Sequence, residues 1–196
     1  SLSGDGGDEL FGGYNRYLMA QQVWNRSRKL PKPVRQSVAS VLTSLSPKNW
    51  DMLFDKLGPV LPERLRLRTP GDKVHKFAGV LDINNEQAFY QTLTSNWQHP
   101  ESIVINAKEP KTLISDSKAW PETDSFQHAM MAMDAQTYMT DDILAKVDRA
   151  AMANSLETRV PLLDHRIAEL AWSLPLDYKI HKGEGKWTLK QVLFRH

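Results

Sequence analysis

Cysteine is absent from the 196 residues, which removes disulfide frameworks, thiolate metal sites and every thiol nucleophile from consideration. No apolar run approaches the length of a bilayer span, and the Ser1 start shows neither an initiator Met nor a signal-peptide pattern. The six histidines show no HExxH spacing, so a zinc site is not indicated. Without a Gly-x-Ser-x-Gly elbow, a serine hydrolase of that class is not indicated either. An excess of charge of one sign is also missing: 25 Lys and Arg stand against 23 Asp and Glu, mixed along the chain. That balance does not argue for a nucleic-acid or membrane surface. With 41% hydrophobic and 24% charged residues, disorder and low-complexity architectures are excluded. The expectation is a soluble, cytoplasmic protein of one domain, or one with a small appendage, belonging to something longer.

What is present reads mostly as helix. Val34, Val38, Val41, Leu42 and Leu45 form one stripe at helical spacing behind Pro33, and the spacing predicts that this stripe is buried. Shorter stripes follow: Trp50, Leu53, Phe54 and Leu57, stopped by Gly58-Pro59; Val74, Phe77, Ala78 and Leu81; Phe89, Leu93 and Trp97. Phe126, Met130, Met133 and Thr137 lead toward Ile143, Leu144, Val147 and Ala151, then Ile167, Leu170, Ala171 and Leu174 end at Pro175. A last helix is expected to begin near Lys186. Strand signals are few: Ser1 to Ser3 could be the tail of one, and Ile103 to Ile105 an edge or a buried loop. Such a chain is either a small all-helical domain or the helical part of an α/β domain whose sheet lies upstream.

Three stretches carry chemistry. The first is Ser3-Gly4-Asp5-Gly6-Gly7-Asp8-Glu9-Leu10-Phe11-Gly12-Gly13-Tyr14. A glycine-rich turn into a helix lets backbone N–H groups approach an anion, and the helix start favours negative charge. Carboxylates beside phosphates would repel them unless a divalent cation lies between, and Mg²⁺ accepts one or two carboxylates together with phosphate oxygens. The stretch is therefore a candidate magnesium-phosphate site. It also reads as a tight turn in which Asp8 is only an N-cap. The second stretch, Asp148 to Arg166, contains Asp148, Arg149, Glu157 and Arg159, candidates for a structural ion network, with Asp164 placed to cap a helix. In the third, Lys186 stands at a helix start, facing the positive end of the dipole, which makes sense if it points at an anion. A solvated basic turn is the alternative.

Together these stretches resemble the synthetase domain of glutamine-dependent asparagine synthetases, through Ser3 to Tyr14 (SGDGGDELFGGY), Asp148 to Asp164 (DRAAMANSLETRVPLLD) and Gly185 to Lys190 (GKWTLK). The middle, from about Arg28 to Thr123, carries no part of the resemblance. The resemblance implies a mainly α chain, the helical C-terminal part of an α/β synthetase domain of the adenine-nucleotide α-hydrolase-like kind, with most of the sheet missing. The reaction it implies uses ATP and Mg²⁺ to adenylate aspartate, after which ammonia from an N-terminal glutaminase domain displaces AMP to give asparagine. That glutaminase domain, which begins with a cysteine, and the family's Ser-Gly-Gly-x-Asp-Ser loop are not within these residues, so the chain alone is expected to be inactive.

Residue by residue, Ser3 and Gly4 match backbone contacts to ATP, and Gly6 and Gly7 complete that turn. Asp5 matches the acid tied to β-aspartyl-AMP formation, and Asp8 matches the acid that helps to hold magnesium pyrophosphate. Lys186 matches the lysine that stabilises charge during adenylation. Lys190 stands where the family commonly has Arg. Implied partners are ATP, aspartate and the glutaminase domain, with no nucleic acid and no membrane, and a homodimer is compatible. Competing readings are an amidating ligase for another carboxylate, such as a polysaccharide precursor or a β-lactam precursor, and a non-catalytic helical binding module. The acid at Asp5 counts against the β-lactam branch.

Overall fold

The computed structural model describes residues 1–57, 69–95, 97 and 100–195. The expected Gly58-Pro59 helix stop lies outside the described residues. The chain divides into two units, Ser1–Gln22 with His99–His196, and Val23–Gln98. The division falls inside α2 (Asn15–Ser27). The described residues are mainly helical, and the single sheet among them has two strands.

The second unit contains α3 (Lys32–Thr43), α4 (Pro47–Leu57), α5 (Pro70–Leu81) and α6 (Glu86–Thr94). Prolines within the first two positions start α3 and α5, where a missing N–H costs nothing. At α6 the Asn85 side chain accepts from the Ala88 N–H, satisfying one orphan donor. Ala78, Leu81, Phe89 and Tyr90 are buried, and Trp24 stacks on Phe89 at 5.5 Å between ring centroids.

The α3 stripe is helical as expected but does not face the core: Val34, Val38, Val41 and Leu45 are exposed, and Arg35 is buried instead. Its guanidinium donates to the carbonyls of Leu81 and Ile83, at and beyond the end of α5. A helix end leaves such carbonyls without intrahelical donors, and a cation there satisfies them and complements the dipole. Nor do Ile103 to Ile105 form a strand; they follow a short 3₁₀ turn and are exposed. Trp97 lies beyond α6 and is likewise exposed.

The first unit is built around α1 (Gly7–Phe11), which packs against α7 (Phe126–Gln136), α9 (His165–Ser173) and α11 (Trp187–Leu193). Leu10, Phe11 and Ala171 form a core cluster joined by Leu163, Ile167, Ala168, Leu174 and Leu189. Ser125 caps α7 by accepting from His128 N–H, and Asp164 caps α9 by accepting from Arg166 N–H. A π-helical segment, Met139–Leu144, leads into α8 (Ala145–Ala153). α10 (Leu176–Lys179) opens into a hairpin of β1 (Ile180–His181) and β2 (Glu184–Gly185), in which Ile180 faces Gly185. Its two-residue turn uses Lys182 and Gly183, both at positive φ, which matches the strand twist.

Candidate active site

The opening residues lie beside the second motif. The Ser3 N–H donates to the Arg159 carbonyl and the Arg159 N–H to the Ser1 carbonyl, a single parallel bridge rather than a strand. From there the chain turns at Gly6, whose φ of 80° is open to glycine without strain, into α1. A Cβ at Gly6 would also stand 2.3 Å from Leu163 Cδ2, so the second motif seats directly on the glycine turn. Asp8 lies in the first turn of α1 and is not its N-cap; that place belongs to Gly6. The helix has five residues, too few for a sizeable dipole, although its first-turn N–H groups have no intrahelical acceptors.

Lys186 brings a positive charge beside the turn. The hairpin returns against the end of α1, where the Lys186 N–H donates to the Phe11 carbonyl and Lys186 adopts φ 56°, at the N-cap of α11. Its ammonium donates to Asp8 Oδ2 at 2.9 Å, across 178 positions of sequence, with both side chains about one-third exposed. Gly13 makes the room: a Cβ there would lie 2.0 Å from Asp8 Oδ1 and 2.3 Å from Lys186 Cε. Asp5, half-buried, accepts from the Ser3 hydroxyl. Of the residues singled out by sequence, the structure thus brings Asp8, Lys186 and the Gly6-Gly7 turn together, with Ser3 and Asp5 joined to each other on the approach to that turn.

The second motif behaves differently. Glu157 and Arg159 pair with each other on the surface, and Asp148 and Arg149, both exposed, take no part, so there is no four-residue network. The hydrogen bonds of Arg166 hold the Asp164 carboxyl well below its ordinary range.

Two acids are buried among the described residues: Glu9, one of the acids of the glycine turn, and Asp134, which the sequence did not single out. The Tyr14 hydroxyl donates to buried Glu9 at 2.7 Å, and burial, followed by that bond, raises the phenol so that it stays protonated. Asp134, with no exposed surface, accepts from the Tyr17 hydroxyl and pairs with Arg16, whose guanidinium lies 4.1 Å from the Tyr14 ring centroid and 5.1 Å from that of Tyr138. Nothing in the spacing of Asp134 distinguishes it from a solvated helical acid.

A glycine turn thus stands beside a lysine-carboxylate pair drawn from the two ends of the chain. The family model for asparagine synthase matches residues 1–196. The chain is 29% identical over 197 residues to asparagine synthetase [glutamine-hydrolyzing] 1 of Bacillus subtilis, covering 98% of this chain and 27% of the relative. It is 30% identical over 207 residues to a putative asparagine synthetase [glutamine-hydrolyzing] of Mycobacterium bovis, covering 98% and 26%. No solved structure matches the chain significantly. The chain belongs to the asparagine synthase family, and it spans about a quarter of the length of these curated relatives.

Proposed function

We propose that this chain is the later part of a cytoplasmic synthetase that adenylates the side-chain carboxylate of aspartate with ATP and passes the acyl-adenylate to ammonia released from glutamine. The observation that carries the reading is the 2.9 Å pair of Asp8 and Lys186 beside the Gly6-Gly7 turn. In the first step a carboxylate oxygen of aspartate attacks the α-phosphorus, the bond to the bridging oxygen breaks, and pyrophosphate leaves. Ammonia then attacks the acyl carbon and AMP leaves.

Negative charge grows on pyrophosphate during the first step. The Lys186 ammonium and the N–H groups of the turn therefore stabilise the transition state more than the ground state. Ser3 and Gly4 would offer backbone contacts to ATP, and Asp5 would act in formation of the β-aspartyl-AMP intermediate, as the family resemblance implies.

Asp8 is the residue that would hold magnesium. The ion uses one or two carboxylates and fills its other positions with phosphate oxygens and water, so one carboxylate at the turn fits it. Among the described residues no group of three His, Cys, Asp or Glu could hold a metal. Bound there, magnesium would neutralise charge on the departing pyrophosphate.

One preorganised donor is worth about 3 kcal/mol. In the enzyme that carries this chain, Lys186→Ala should lower aspartate-dependent pyrophosphate exchange by roughly a hundredfold or more. Exchange that survives the substitution would remove Lys186 from the site.

A further inference from the structure

Immediately before the hairpin lies a lysine whose surroundings are unusual. Lys179, the last residue of α10, has no exposed surface, and its ammonium has no hydrogen-bond partner. It sits 4.7 Å from the centroid of the Trp172 indole on α9. The titratable group facing it from α7 is His128, whose Nε2 is also buried and unpartnered and whose ring stacks near Trp172. Asp124, in the approach to α7, acts on His128. Among the described residues no carboxylate pairs with the lysine.

Ile180 fills the space over Gly12, where an added Cβ would meet Ile180 Cγ1 at 2.6 Å, while Lys179, the residue before it, is buried against Trp172. The hairpin starts directly after Lys179 and returns to Lys186, and the Thr188 hydroxyl ties its two ends together by donating to the Tyr178 carbonyl.

We propose that Lys179 is a positioning residue for Lys186: docking of the hairpin buries the Lys179 amine without a counter-charge, so docking is coupled to loss of its proton. A buried ammonium is opposed by desolvation, only partly offset by the Trp172 ring. Burial accordingly pushes the Lys179 pKa down to about 8. Burial, and then Lys179 itself, also lowers His128, so the pair resists holding two protons.

The sign follows from linkage. The undocked amine titrates near 10.4; the docked form binds fewer protons between that value and about 8, so docking tightens as pH rises through this window. The inference concerns hairpin geometry and stands whether or not the chain acts on ATP.

Hydrogen exchange at the Lys186 amide, which is bonded to the Phe11 carbonyl, reads docking in the 196-residue chain. After correction for the intrinsic chemical rate, protection should rise roughly tenfold from pH 7 to 9 in the native chain. In Lys179→Met, protection should be high and flat with pH; in Lys179→Arg, which stays charged, it should be low and flat. A native chain without the slope, or either variant retaining it, would overturn the proposal. Should the methionine variant fail to fold, the native chain and the arginine variant still decide.

Discussion

At the scale of single residues, the site depends on where side chains are missing. The space that a Gly13 methyl would need is occupied by the Asp8 carboxylate and the Lys186 stem, both ends of flexible side chains. Those ends can yield, so Gly13→Ala should unfold at close to the native urea concentration while displacing the pair. A misplacement of about 1 Å at a reacting centre can cost about a hundredfold in rate. The expected outcome is that loss in pyrophosphate exchange by the enzyme carrying the variant, and unchanged exchange would show that the pair's spacing is irrelevant. Asp134 makes the opposite case. It is fully buried and neutralises Arg16 while accepting from Tyr17. Asp134→Ala leaves a partly buried guanidinium and a hydroxyl without their acceptor, a change of about 3 to 5 kcal/mol measurable as a lowered urea midpoint. Asp8 and Lys186 were legible because a lysine at a helix start and acids in a glycine turn are each electrostatically odd. Asp134 was not, because its partners Arg16 and Tyr17 lie more than a hundred positions away and nothing local is anomalous.

Among elements, the β1–β2 hairpin does most to bring the motifs together, and the sequence does not announce it. Each strand has two residues, too short for an alternating pattern, and Lys182-Gly183 is an unconventional turn pair. Its seat is nevertheless specific: an added Cβ at Gly185 would stand 2.2 Å from the Gly12 carbonyl oxygen. Backbone cannot yield as a lysine stem can. Gly185→Ala should lift the hairpin from α1, costing about 1 to 3 kcal/mol and abolishing protection of the Lys186 amide; a protected amide in this variant would disprove the seat. Helix α3 shows a different limit. Its periodicity gave the right helix but the wrong buried face, since a stripe of valines says which residues share a side and not what that side meets. Arg35 wins the interior because carbonyls at the end of α5 need donors. The glycine-rich turn leads not into one long helix but into α1 and then α2, broken where Gly12 takes a positive φ of 69°. That break makes room for Lys186.

For the whole molecule, the question is how much of a reaction a quarter-length chain contains. Its 196 residues hold the diphosphate end of the proposed site, in Asp8, Lys186 and the Gly6-Gly7 turn. They do not include the Ser-Gly-Gly-x-Asp-Ser motif, the other phosphate loop that the family resemblance implies. Adenylation needs the aspartate oxygen and the α-phosphorus held in line, and such positioning is worth about 7 to 11 kcal/mol of barrier. Charge stabilisation by one lysine, at about 3 kcal/mol, does not replace it. The 196-residue chain should therefore show no aspartate-dependent consumption of ATP, measured as AMP formed with and without aspartate at saturating magnesium. Adding back the upstream part of the synthetase should restore turnover, and restoration should fail when the added-back chain is paired with Lys186→Ala. Turnover by the 196 residues alone would mean that the nucleotide is gripped entirely within them, and the division of labour between this chain and the rest of the enzyme would have to be redrawn.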